Sequence, residues 1–192
     1  MLDNNIRSIQ YCDLDSPLGP MIAGATESGI CFLEWHDRGG VERIKERVVK
    51  RYKREVIAGT NDHLLRLKTE LNAYFAGALK DFTVLIDVTG TPFERLVWKQ
   101  LQIIPYGVTR SYGNLAEFLG KPGAQRAVGR ANGANYLSIV IPCHRVIEST
   151  GKLRGYGGGL WRKQALLDLE GAKTIQPLAQ IQTRLFQTET PH

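Results

Sequence analysis

Strand signals dominate the first stretch of the chain. Met21-Ile22-Ala23-Gly24-Ala25-Thr26 and Ile30-Cys31-Phe32-Leu33-Glu34-Trp35 are β-prone runs separated by Glu27-Ser28-Gly29, which predicts a β-hairpin. An earlier strand is expected over residues 6–14. The periodicity then changes: Leu64, Leu67, Leu71, Tyr74 and Phe75 recur at helical spacing, so residues 62–79 are predicted to form an amphipathic helix. A shorter, more charged helix is expected over residues 41–53. Together these make a small N-terminal α+β domain, residues 1–90, in which no catalytic constellation is visible.

After Asp87-Val88-Thr89-Gly90 a new helix is announced. Thr91 can cap it, Pro92 fits the first helical position, Glu94 completes a capping box, and Phe93, Leu96, Val97 and Leu101 supply an apolar face. Pro105-Tyr106-Gly107 ends it. Ser111 begins a short helix with Leu115, Ala116 and Leu119 turned inward, and Lys121-Pro122-Gly123 leads into another whose Ala124, Ala127, Val128 and Ala131 share a face. Two short helices across a tight turn fit a helix-turn-helix, a pattern that other helical hairpins share. On the second, Gln125, Arg126, Gly129 and Arg130 project elsewhere, offering close approach and guanidinium groups for phosphates or bases. The run Leu137-Ser138-Ile139-Val140-Ile141 reads as a buried strand or extended segment that delivers Cys143. Residues 155–159 are a glycine-rich loop, and residues 160–170 a last helix stopped by Gly171. Residues 91–172 thus form a mainly helical second domain, and residues 173–192 a tail expected to be poorly ordered.

The composition, 43% hydrophobic over 192 residues, suffices for a real core. Nothing resembles a signal peptide, and no run of about 18 apolar residues could span a membrane. Three cysteines, Cys12, Cys31 and Cys143, are an odd number at wide spacing, which suits a reducing compartment: the cytoplasm, or the nucleus in a eukaryote. The net charge of +6 is uneven, with 11 Lys and Arg against 5 Asp and Glu from Thr91 to Gly171, and 12 against 13 from Met1 to Gly90. A basic second domain suggests an acidic partner such as nucleic acid, although an ordinary basic surface gives the same count.

Cys143 is the chemical focus. A cysteine attacks as thiolate, so it needs a base or positive field, and His144 and Arg145 are adjacent. In an extended segment successive side chains diverge, so direct contact between Cys143 and His144 would need a turn, a helix or a bridging water. Taken alone, the pair is more often a small buried hydrophobe beside a core histidine.

The wider pattern resembles the O6-alkylguanine-DNA alkyltransferases. It is carried by Ile141-Pro142-Cys143-His144-Arg145-Val146, with Tyr112, Arg126, Asn135, Tyr156 and Glu170-Gly171 at the expected intervals. Thr91-Pro92-Phe93, Ile104-Pro105-Tyr106-Gly107, Arg126-Ala127-Val128-Gly129 and Gly158-Gly159-Leu160 match as well. In the first half only Asp15-Ser16-Pro17-Leu18-Gly19 and the hairpin are similar.

The resemblance implies a ribonuclease H-like N-terminal domain and a C-terminal helix-turn-helix domain. It implies irreversible alkyl transfer from O6-alkylguanine in DNA to Cys143, once per molecule, without a cofactor or metal; O4-alkylthymine is left open. Cys143, His144 and Glu170 would be nucleophile, base and orienter, Asn135 would brace them, and Tyr112 would protonate the departing guanine at N3. The base would be flipped out of the duplex, with Arg126 filling the gap and the helix carrying Ala127, Gly129 and Arg130 in the minor groove, near Ser111. Val146, Tyr156, Gly157 and Arg145 would line the pocket. The partner is double-stranded DNA, no membrane is involved, and a monomer is expected.

Three departures stand out. Asn135-Tyr136-Leu137-Ser138 lacks prolines that many members carry, which predicts an altered pocket wall. Gly157 stands where some members have serine. Cys12, Cys31, His36 and His63 do not match the zinc ligands some members have. Competing readings are weaker. A non-enzymatic damage binder would lack Cys143, a fused regulator needs a further domain that 192 residues do not hold, and a cysteine hydrolase would turn over repeatedly.

Overall fold

The computed structural model describes residues 8–172. Within them the chain divides into two compact units, residues 8–95 with 136–140 and residues 96–135 with 141–172. Among the described residues no helix is long and apolar enough to cross a membrane.

The first unit is built on a four-stranded sheet of β1 (Ile9–Leu14), β2 (Met21–Ala25), β3 (Ile30–Trp35) and β4 (Val56–Ala58), in the order β3-β2-β1-β4. The predicted hairpin is present as the antiparallel pair β2 and β3. Every residue of both strands is buried, which explains why they read as continuous apolar runs rather than alternating ones. Gly24 lies opposite Phe32, and a Cβ there would fall 2.0 Å from the phenyl ring. Helices α1 (Val41–Tyr52) and α2 (Asp62–Phe75) complete this unit. α2 stops earlier than predicted: Ala76 caps it and Gly77 turns left-handed at φ 73.

β4 was not foreseen. It has three residues, two of them exposed, and joins the sheet by parallel pairing with β1. The free edge of β3 is covered by two further segments: Ile30 bridges Ile86, and Leu33 bridges Leu137 through Leu33 N–H to Tyr136 O and Ser138 N–H to Leu33 O, both 2.8 Å. The expected buried strand or extended segment at 137–141 is therefore corrected. Only Leu137 pairs, the following residues turn, and Ile139 takes a left-handed φ of 70. Its apolar sequence reflects burial, which periodicity alone cannot distinguish from a strand.

α3 (Pro92–Gln102) starts with the predicted capping box, Thr91 Oγ1 accepting from Glu94 N–H at 3.2 Å and Glu94 Oε2 from Thr91 N–H at 2.8 Å. Its buried face is Val97, Trp98 and Leu101, whereas the expected Leu96 is 40% exposed. The second unit takes up α3 after Arg95 and adds α4 (Tyr112–Phe118), α5 (Gln125–Gly133) and α6 (Leu160–Leu169). α4 and α5 pack together across the turn at 119–124, Gly129 lying against the Tyr112 ring. Trp98 Nε1–H donates to Ala131 O at 2.8 Å and ties α3 to α5. A short parallel pair, β5 (Arg110–Ser111) with β6 (Val146–Ile147), was also unforeseen; it fixes the chain just after Cys143.

Candidate active site

Pro142 leads into a single 3-10 turn, Cys143–Arg145, closed by Val146 N–H donating to Cys143 O. The tight turn keeps neighbouring side chains from pointing to opposite sides as in an extended segment, and His144 and Arg145 both reach the Glu170 carboxylate. Cys143, His144 and Arg145 are all buried, at 6%, 0% and 5% exposure. From the end of α5, Asn135 donates through Nδ2 to Ile141 O at 2.9 Å and to Cys143 Sγ at 3.1 Å.

Behind the thiol, His144 Nε2 lies 2.9 Å from Glu170 Oε1. Arg145 grips the same carboxylate twice, Nε to Oε2 and Nη2 to Oε1, each at 2.9 Å, while its Nη1 donates to Ile104 O. Gly107 N–H adds a fourth donor at 3.1 Å to Oε2. Glycine is required at 107: its φ is 74, and a Cβ would sit 2.7 Å from Glu170 O. Burial by itself would push the Glu170 carboxyl up, but the hydrogen bonds from His144 and Arg145, with the Arg145 charge, outweigh it and hold the group at about 2. A carboxylate can only accept, so His144 Nε2 carries the hydrogen and Nδ1 keeps its lone pair. Burial lowers the imidazole's proton affinity further, against the pull of Glu170. The ring is thus a neutral base.

Tyr112, expected as the proton donor, gives its hydroxyl hydrogen to Arg154 O at 3.1 Å. Burial, reinforced by Cys143 and Glu148, pushes the phenol up to about 12, so it stays protonated. Tyr156 stands edge-on to His144, ring centres 6.5 Å apart, and Gly157 is exposed beside it. Val146 is buried. Arg145 was expected both to supply positive field and to line the pocket; the structure commits its guanidinium to Glu170.

The predicted DNA contacts form a separate group. Arg126 and Arg130 are exposed on α5, Ala127 and Gly129 are half-buried, and the Ser111 hydroxyl caps α4 by accepting from Asn114 N–H at 3.0 Å. A cavity of about 560 Å³ between α3 and α4, walled by Ile103, Ile104, Leu115 and Phe118, is lined by none of the expected site residues.

Two residues were missed by sequence reasoning. Lys163 is fully buried, and its Nζ donates to Val146 O at 2.6 Å and Arg154 O at 2.8 Å. Burial lowers its ammonium to about 8, against the charges of Cys143 and Glu148. Asn132, 3% exposed, donates through Nδ2 to Cys143 O at 3.4 Å. A signal existed for the lysine: Lys163, Leu166, Leu167 and Glu170 share one face of α6, so two charged residues occupy core positions.

Known proteins resemble this chain over both units. The model of the 6-O-methylguanine DNA methyltransferase ribonuclease-like domain matches residues 9–88, and that of the DNA-binding domain of the same enzymes matches residues 92–172. The methylated-DNA–protein-cysteine methyltransferase of Mycobacterium tuberculosis is 45% identical over 167 residues, covering 86% of this chain and 94% of the relative. That of Methanosarcina acetivorans is 40% identical over 163 residues, covering 84% and 98%. The crystal structure of Mycobacterium tuberculosis O6-methylguanine methyltransferase aligns with a TM-score of 0.73 at 43% identity, over 90% of this chain and 98% of that one. Mycobacterium tuberculosis OGT in complex with DNA aligns equally well, with a TM-score of 0.73 at 44% identity over 84% and 92%. The chain belongs to the 6-O-methylguanine DNA methyltransferase family.

Proposed function

We propose that this methylated-DNA–protein-cysteine methyltransferase repairs DNA directly, taking the alkyl group from O6 of guanine onto Cys143 once per molecule. The observation that carries the reading is the buried sequence of groups at that thiol: the Asn135 amide on Sγ, then a neutral His144 locked to an ionised Glu170. The Cys143 proton passes through water to His144 Nδ1, and the resulting imidazolium is stabilised by Glu170. Sulfur attacks the alkyl carbon in line; the S–C bond forms as the C–O6 bond breaks. Guanine would leave as a poor anionic leaving group, and Tyr112 protonates it at N3. Arg145 holds the Glu170 charge in place, and Lys163 and Val146 shape the far wall with Tyr156 and Gly157.

A base inside the duplex cannot reach a thiol that is 6% exposed, so the nucleotide is flipped out. Arg126 fills the gap, α5 enters the minor groove with Ala127 and Gly129 allowing close approach, and Arg130 and Ser111 meet the backbone. That groove carries little sequence information, which suits a search for damage in any context. The protein works as a monomer in the reducing cytoplasm its acceptor thiol needs, on residues 91–172 as the DNA-binding and acceptor domain; O4-alkylthymine is a candidate second substrate.

The deciding experiment is mass spectrometry after exposure to duplex carrying O6-methylguanine. One methyl per molecule on Cys143 is expected, and none after Cys143→Ala, which should still bind DNA. Repeated turnover would overturn the single-event reading. Flipping has its own test: Arg126→Ala should slow repair of saturating duplex far more than attack on free O6-benzylguanine. Equal losses would make Arg126 a support of the pocket instead.

A further inference from the structure

Two buried polar atoms on residues that meet at the Cys143–His144 peptide have no hydrogen-bond partner among the described residues: Asn132 Oδ1 and His144 Nδ1. Asn132 holds the carbonyl of that peptide through Nδ2 at 3.4 Å, and His144 is the residue on its nitrogen side. The asparagine amide is oriented by this contact, since a carbonyl can only accept, so Oδ1 is the atom left over. Asn132 occupies a core position of α5 beside Val128 and Ala131, where an apolar residue would satisfy packing. An unsatisfied buried acceptor is costly, and buried polar groups in such clusters are ordinarily served by internal water, which needs two to four polar partners.

We propose that Asn132 is a positioning residue for proton removal, its Oδ1 anchoring the water that carries the Cys143 proton to His144 Nδ1. The proposal rests on the relay described above and adds a residue to it. The water donates one hydrogen to Asn132 Oδ1 and the other to His144 Nδ1, leaving a lone pair facing the thiol. As the S–H bond breaks, its proton joins the water oxygen; the O–H bond facing His144 breaks as the Nδ1–H bond forms. Thiolate and imidazolium result, and the water is regenerated. Asn132 accepts throughout and never changes its own protonation. Asn135 has the different task of donating to the sulfur. Charged groups around the relay are Glu170, Arg145 and Lys163, with Tyr112 on the substrate side.

The test is a two-by-two cycle on the full chain, with Asn132→Leu and His144→Ala alone and together. Single-turnover transfer from saturating O6-methylguanine duplex is measured across pH. Asn132→Leu should slow transfer about tenfold, the usual cost of one lost buried hydrogen bond. The rise of its rate with pH should move to higher pH, while DNA affinity stays unchanged. In the His144→Ala background the same substitution should add nothing, because the path it serves is gone. Multiplying losses, or a fall equal at all pH values, would mean that Asn132 merely supports the Cys143 carbonyl and would overturn the proposal. If Asn132→Leu does not fold, Asn132→Thr, which keeps an acceptor oxygen, takes its place: near-normal rates with no pH displacement support the anchor, and a loss as large as that of His144→Ala refutes it. A wild-type rate for His144→Ala itself would instead break the proposed function, an outcome read separately.

Discussion

Glu34 in the sheet unit and Glu170 in the helical unit are both buried, at 2% and 6% exposure, and both face arginines. Their carboxyls nevertheless shift in opposite directions. For Glu34, on β3, burial prevails over Arg38 and Arg47 and raises the group. Glu170 is held at about 2 because four N–H donors from His144, Arg145 and Gly107 converge on its two oxygens. Arginine proximity does not decide the state of a buried acid; saturation of its lone pairs does. The cysteines repeat the contrast. Cys31, fully buried on β3, has its thiol pushed far up by burial and by Asp87, whereas Cys143 has an amide donor on sulfur and a neutral imidazole next in sequence. Under the proposed function, one unit buries its polar groups as structure and the other arranges them for chemistry.

The sharpest way to break this comparison is to neutralise each acid in turn. Glu170→Gln should slow single-turnover transfer by a factor on the order of 10²–10⁴, the range for losing general-base assistance, with DNA binding little changed. Glu34→Gln should leave the transfer rate where it is. Comparable losses in the two variants would mean that both acids act only through the fold.

Acid stability separates the pair by sign. A group with a depressed folded pKa contributes stability above its unfolded value and loses it as pH falls through the folded one. Glu170 goes from an ordinary 4.5 to about 2, so its contribution, on the order of 3 kcal/mol, is complete above about pH 4.5 and disappears towards pH 2. Glu34 is raised, so the folded state favours its protonated form and acidification relieves it. Urea unfolding midpoints measured from neutral pH downward should therefore flatten in Glu170→Gln and fall more steeply in Glu34→Gln, which has lost the opposing contribution. An unchanged slope in the first variant would show that the carboxylate is not held low.

Much of this was legible beforehand, and the failures have physical causes. The β2–β3 hairpin, α2 and the capping box of α3 were signalled by local chemistry that needs no distant partner. β4, β5 and β6 were not: they have three, two and two residues, and exist only because another segment offers its edge. On α3, Leu96 was assigned to the inner face by hydrophobicity and Trp98 was passed over, yet Leu96 is 40% exposed and Trp98 goes inward, its indole N–H donating to Ala131 O. At the site, Cys143, His144 and Glu170 were recognisable as a motif. Lys163 and Asn132 were not, because a polar residue on a helix looks solvated until the carbonyls that hold it are known.

The smallest effect concerns how two adjacent helices begin. Ser111 sits at φ −84, ψ 157, the extended geometry of an N-cap, and forms a full capping box in which Asn114 Oδ1 accepts from Ser111 N–H at 3.2 Å. Ala124, which starts α5, has φ −85, ψ 17 and no side-chain cap. Ser111→Ala should cost about 1 kcal/mol, the usual value of a lost hydroxyl cap. Adding a hydroxyl by Ala124→Ser should recover almost nothing, because its backbone does not aim the side chain at the free N–H groups of the first turn. Chemical denaturation of both variants reads this directly. A gain from Ala124→Ser equal to the loss from Ser111→Ala would show that residue type, not backbone geometry, limits the start of α5.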